Sequence, residues 1–175
     1  MANRPTLPRR FAQVGMITAL LFLLALPSRV HAMNNCPWMN EATASELVGG
    51  DATGAYISAK DTPAVCTFTE HFGKDTRTLT ISVTTVTDPH GSFLSTLQSG
   101  CGSASAPLSA IGNEAATCTI DRGKSIIGEK VLGRVRDQIF AITISTTMKN
   151  DPVLTDVLLK MKIGTAAEQV AGNLF

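Results

Sequence analysis

Basic charge is scarce once the first 32 residues are set aside. Those residues hold Arg4, Arg9, Arg10 and Arg29 and no acid, while the whole chain of 175 carries 15 basic and 14 acidic side chains. Without them 11 basic residues face 14 acidic ones, a net charge of −3. Such a chain lacks the cationic excess that displaces counterions from a phosphate backbone, which excludes a general nucleic-acid binder. Long apolar runs are scarce too. The one strong run, Val14 to Leu26, is about 13 residues, short of the roughly 20 that span a bilayer. No C-x-x-C, H-E-x-x-H or G-x-S-x-G is present. Histidine is nearly absent: of three, His31 falls in the first segment, leaving His71 and His90. The composition also excludes coiled coil, collagen and disorder.

What is present begins with an export pattern. Arg4 to Arg10 form a basic region, Val14 to Leu26 an apolar one, and Pro27 ends it before Val30-His31-Ala32. Charge, short apolar core and small residues at a cleavage site make a secretory signal. We therefore expect residues 1–32 to be removed, the mature chain to begin at or near Met33, and the protein to be periplasmic or secreted. A retained anchor is the alternative, disfavoured by the short apolar core. Met33-Asn34-Asn35 before Cys36 does not read as a lipoprotein signal, and Arg9-Arg10 lacks the setting of a twin-arginine one. Residues 33–175, about 143 in number, suffice for one domain with a core but not comfortably for two. No further run predicts a transmembrane segment.

The four cysteines, Cys36, Cys66, Cys101 and Cys118, all follow the expected cleavage site. An even count in an exported chain predicts disulfides. Of three possible pairings, the local Cys36–Cys66 and Cys101–Cys118 are favoured. Spacings of 30, 35 and 17 are unlike the close cysteine pairs of a zinc site.

Periodicity predicts α+β. Asn40 caps a short helix over 41–48 that Gly49-Gly50 ends. Residues 55–59 and 65–72 read as strands, and 78–86 alternates clearly, with Leu79, Ile81 and Val83 opposite Thr78, Thr80, Ser82 and Thr84. Residues 92–99 form a short middle helix carrying Phe93, Leu94 and Leu97. Gly100 to Pro107 is a loop. Strands resume at 114–120 and 124–135, with a turn at Asp121-Arg122-Gly123. A bulge or bend is expected at Gly128 and Gly133. After a tight turn at Arg136-Asp137 comes the strongest strand, 138–146. Asp151-Pro152 opens a C-terminal helix with Leu154, Val157, Leu158 and Met161 as its apolar stripe. The expectation is an antiparallel sheet with N-terminal, middle and C-terminal helices, organised as a loose duplication of a sheet-then-helix unit.

Three segments together carry a resemblance: Cys36-Pro37-Trp38-Met39-Asn40 running into Thr43 to Gly50; Val65-Cys66-Thr67-Phe68; and Leu108 to Ala115 followed by Val135 to Phe140. They resemble uncharacterised cysteine-paired envelope proteins of bacteria. These include small actinobacterial lipoproteins of unknown function and the extracellular sensor domains of mycobacterial receptor kinases. The resemblance implies a small α+β domain with no established enzymatic site and no catalytic residue to carry over.

The candidates for chemistry are few. Gly123-Lys124-Ser125 ends like a phosphate-binding loop, but the glycine needed five residues earlier is Cys118, so a hairpin turn is the reading. His71 and His90 are 19 apart and read as ordinary histidines rather than metal ligands. Glu114 reads as a strand-start residue rather than a catalytic acid. Trp38 beside Cys36 reads as a plug on that disulfide rather than a sugar platform. One local excess stands out: Arg122, Lys124, Lys130, Arg134 and Arg136 against Glu129 alone. Lys130, Arg134 and Arg136 share parity and are the candidate binding residues, for an anionic envelope component or an acidic protein partner. The ordinary alternative is a solvated strand face.

The function expected is an exported, non-catalytic binding or envelope-accessory domain with no cofactor. The alternative is a small secreted hydrolase or inhibitor built from loops, with Asp88, His90 and Glu114 as the residues to test. The two are separated by whether His90 meets a serine or a carboxylate in a cleft.

Overall fold

A computed structural model describes residues 35–121 and 126–175. The expected signal segment, the turn at 121–123, and Arg122 and Lys124 of the basic cluster fall wholly or partly outside the described residues. The order is α1 (Glu41–Val48), β1 (Thr53–Ile57), β2 (Ala64–Phe72), β3 (Asp75–Thr85), α2 (Pro89–Cys101), a short 3-10 turn (Gly102–Ala104), β4 (Ala106–Pro107), β5 (Glu114–Asp121), β6 (Ile127–Val135), β7 (Gln138–Thr146) and α3 (Asp156–Leu174). The seven strands form one sheet in the order β1-β2-β3-β7-β6-β5-β4. Every neighbouring pair is antiparallel. The fold is α+β, with a short N-terminal helix, a middle helix and a C-terminal helix.

Alternation decides which face each strand buries. Leu79, Ile81 and Val83 of β3 share a face with Phe140, Ile142 and Ile144 of β7 and Val131 and Val135 of β6. α1 and α3 close that face, α1 with Ala44, Leu47 and Val48 and α3 with Leu159, Ile163 and Val170. The opposite face is covered only in part. α2 seats Phe93 against Ala116, Leu132 and Ile139. On β2 and β3 the side chains of Thr67, Thr69, Thr78 and Thr80 remain half-exposed.

Local signals explain the helix ends. Asn40 accepts from the Thr43 amide at 2.8 Å, and Gly49 closes α1 in the left-handed region at φ 85°. Lys162 of α3 donates to the carbonyls of Glu46 and Leu47, so the last turn of α1 is capped from a distant helix. Cys36 is bridged to Cys66, and Cys101 to Cys118, each with Cα atoms 5.7 Å apart. The first bridge ties the segment before α1 to the sheet, and the second ties the end of α2 to β5. Trp38 is buried edge-on to Tyr56, with ring centroids 6.1 Å apart.

Four expectations are corrected. The C-terminal helix starts at Asp156, capped by Thr155, not at Asp151-Pro152. Asp151 is instead a buried acceptor: its carboxylate takes hydrogen bonds from Arg77 Nε at 2.7 Å, Thr146 Oγ1 at 2.8 Å and the Val153 and Leu154 amides. The expected apolar stripe of α3 is out of phase. Val157 and Met161 are 77% and 58% exposed, because the buried ridge runs through Leu159, Ile163, Ala166, Ala167 and Val170. No bulge occurs in β6, whose register with β7 continues through Gly128 and Gly133. Gly133 serves close packing instead: the Phe140 ring lies where its side chain would be. Finally, α2 and α3 lie on opposite sheet faces. A two-fold relating antiparallel β3 to β7 would keep both on one face, so the repeat of a sheet-then-helix unit extends to the strand order, β1-β2-β3 against β7-β6-β5, and not to the helices.

Candidate functional site

Three polar side chains remote in sequence converge beside α2. Asp88 starts that helix by accepting from the Gly91 amide at 3.1 Å, with Pro89 in the first turn. His90 therefore sits in the opening turn of α2. Glu114 begins β5 and lies directly across from Arg134 in the β5–β6 register. Opposite charges at such a cross-strand pair attract. The loop before Glu114 is fixed on the same strands: the Asn113 amide donates to the Arg134 carbonyl at 2.8 Å, and the Arg136 amide donates to Asn113 Oδ1 at 2.7 Å. Gly112 at φ 60° is required there, since a side chain would meet that carbonyl.

Glu114 Oε1 accepts from Arg134 Nη2 at 2.8 Å and faces His90 Nδ1 at 2.8 Å, with Oε2 3.1 Å from the same nitrogen. The hydrogen bond from Arg134 is the largest influence on Glu114 and, with His90, outweighs burial to hold the carboxyl below its ordinary range. An ionised carboxylate only accepts, so Nδ1 carries the proton and Nε2 is left for another partner. The side chains of His90, Glu114 and Arg134 are 65%, 27% and 18% exposed. Arg134 Nη1 also donates to the Arg136 carbonyl at 3.2 Å. Its Nε, closed off from solvent, has no partner among the described residues.

Of the cluster, Glu114 lines an open cleft of about 420 Å³. Phe93 and Leu97 of α2 form one wall, and Pro107 and Leu108 contribute from beside β4. Ala115 and Ala116 line it from β5, and Ser105 supplies a hydroxyl. Its volume falls in the range of small-molecule clefts, but it is a shallow depression open to solvent. A second cleft of about 290 Å³ lies at Asp151, whose carboxylate is already engaged by Arg77.

No protein-family model, curated protein or solved structure matches the chain.

The residues singled out in the sequence divide as follows. His90 and Glu114 come together, while Asp88 is taken up in capping α2. Arg134 is paired with Glu114, and Arg136 stands in the β6–β7 turn at φ 54°, its guanidinium 5.9 Å from the Phe175 ring. Lys130 shares the strand face of Arg134 but sits four residues, about 13 Å, along β6. His71 is exposed on β2, away from α2. Among the described residues no group of three His, Cys, Asp or Glu is placed to hold a metal ion. Sequence reasoning missed the Glu114–Arg134 pair and the cleft walls. The pair was visible only through the β5–β6 strand register.

Proposed function

We propose that the protein is an exported, non-catalytic binding domain whose site is the cleft between α2 and the β4–β5 edge. The observation that carries this reading is the cleft itself: apolar walls ending at Glu114, which is ion-paired with Arg134 behind it. Apolar lining with a few fixed polar groups suits binding and orientation. Two disulfides, and an N-terminal segment with the three-part signal pattern, support export. Among the described residues no helix is long and apolar enough to cross a membrane. The motif resemblance to cysteine-paired envelope proteins supports the same address.

Native mass spectrometry of the protein recovered from envelope tests the reading, run beside Ser105→Phe, whose larger side chain fills the cleft. A small-molecule adduct present in the wild type and absent from the folded variant is expected. Identical spectra for the two proteins would overturn the assignment.

The hydrolase reading has one observation in its favour, the His90–Glu114 hydrogen bond. A carboxylate that orients an imidazole leaves Nε2 available as a base. No hydroxyl or thiol of the described residues bonds to His90, so the nucleophile would be water. Turnover of p-nitrophenyl octanoate that disappears in His90→Ala would favour this second reading. Absence of turnover in the wild type favours binding.

A further inference from the structure

The two disulfides stand in different electrostatic surroundings. We infer that Cys101–Cys118 is a redox-labile tether: a dithiol reductant opens it ahead of Cys36–Cys66, and its opening frees the C-terminal end of α2 from the sheet.

Each bridge joins a half-buried cysteine, Cys36 or Cys101, to a buried one, Cys66 or Cys118. Access therefore does not separate them, but charge does. Lys130 lies directly across the β5–β6 pair from Cys118, where side chains of neighbouring strands stand about 5 Å apart. Its ammonium also reaches α2: a methyl group placed on Gly100, the residue before Cys101, would lie 3.5 Å from Nζ. One cation thus stands beside both halves of the bridge. Among the described residues Lys130 makes no ion pair. α2 carries no Asp, Glu, Lys or Arg, and Glu114, four residues from Cys118 on β5, is held by Arg134. The other bridge has no such neighbour. Cys66 lies between Tyr56 and Ile81 in the strand register, and Cys36 shares a small depression with Glu41.

That contrast bears on thiol–disulfide exchange. A thiolate of the dithiol attacks the half-buried Cys101 sulfur, and the electron pair of the broken S–S bond leaves on Cys118. The second thiolate of the dithiol attacks the mixed disulfide, closes its own S–S bond and releases the Cys101 thiolate. The two protons given up by the dithiol end on Cys101 and Cys118, so the chain gains two electrons and the reductant loses two. Burial of Cys118 disfavours its leaving as a thiolate, and the ammonium across the strand pair offsets that. A better leaving thiol speeds exchange. A thiolate leaving on Cys66 meets apolar core instead.

What opening releases is local. α2 buries Phe93 alone, in the smaller cluster with Ala116, Leu132 and Ile139. Its first turn stays fixed by the Asp88 cap, whereas its last turn loses its covalent link to β5. α1 and α3 pack in the larger cluster on the other face, which includes Cys66.

Timed reduction of the folded, oxidised protein by dithiothreitol at pH 7 tests this, with iodoacetamide quenching and peptide mapping of each cysteine pair. Cys101–Cys118 is expected to open at least about tenfold faster than Cys36–Cys66. Lys130→Gln should slow that opening by about threefold and leave Cys36–Cys66 unchanged, and Lys130→Arg should keep the wild-type rate. If Lys130 only complements the C-terminal end of α2, its loss loosens the helix and speeds opening, so the sign of the change separates the two roles. In wild type reduced and alkylated at this bridge alone, amide exchange should rise in the last turns of α2 while α3 stays protected. Both bridges opening together, Cys36–Cys66 opening first, no slowing in Lys130→Gln, or an α2 as protected after reduction as before would each overturn the inference.

Discussion

Replacing Asp151 by Asn removes the anion that holds Arg77 inside the protein. Arg77 and Asp151 are both buried, and two guanidinium nitrogens reach the two carboxylate oxygens at 2.7 and 3.0 Å. In Asp151→Asn the guanidinium keeps Glu70 at 2.9 Å and its place over the Phe72 ring. Breaking a buried pair costs about 3–5 kcal/mol, because the remaining charge stays desolvated. With Glu70 still present we expect the lower end, about 3 kcal/mol. A domain of this size is stable by only about 5–15 kcal/mol. The melting temperature should fall by about 6–12 °C. The pH dependence gives an independent check. Burial alone would raise the Asp151 carboxyl, but hydrogen bonds from Arg77, Val153, Thr146 and Leu154 outweigh it and bring the value from 3.8 to about 2. A carboxyl depressed in the folded state stabilises fully above its unfolded value and loses that contribution as pH falls through the folded one. The contribution is about 2.5 kcal/mol, present above pH 4 and gone below pH 2. Urea unfolding of both proteins with disulfides intact, from pH 7 to pH 2, measures both effects. The difference between wild type and Asp151→Asn should shrink across the acid limb. A variant within about 1 kcal/mol of wild type at pH 7, or a difference independent of pH, would refute the argument.

Other outcomes follow from the packing and the surface. Gly133→Ala forces the buried Phe140 ring aside and should cost about 1–3 kcal/mol in urea unfolding, whereas alanine at Gly164, where a side chain meets nothing, should stabilise by about 0.5–1 kcal/mol. Replacing Cys101 and Cys118 by serine should speed amide exchange in α2, which buries only Phe93, while α3 stays protected; equal exchange in the two helices would contradict this. Changing Lys130 and Arg136 to Glu leaves the Glu114–Arg134 pair intact. If these cations bind an anionic envelope component, co-sedimentation with an anionic envelope fraction should disappear in the double variant. It should also weaken as salt rises past about 0.15 M; unchanged co-sedimentation would remove that proposal.

What the sequence determined by itself were features that depend on neighbours within one element. Alternation in β3 and β7, the Asn40 cap, the glycine stop after Val48 and the Arg136-Asp137 turn need only local periodicity and backbone preference. Both disulfides join cysteines adjacent in sequence order, so favouring the shortest loops was enough to anticipate them. The tertiary structure alone decided matters that depend on register and on which face a helix meets. The α3 stripe went astray because Leu154 and Leu158 at helical spacing look the same as Leu159 and Ile163 until the sheet selects an orientation. Asp151 beside a proline reads as a helix cap, and only the approach of β3, with Arg77 lying 74 residues away, turns it into a buried counter-ion. Glu114, His90 and Arg134 are ordinary residues in isolation. The β5–β6 register sets Glu114 across from Arg134, and α2 lies over that pair because Phe93 fits between Ala116, Leu132 and Ile139 on the second face of the sheet. Propensity acts over a few residues, whereas these contacts form only when distant segments pack, so no local pattern could announce them.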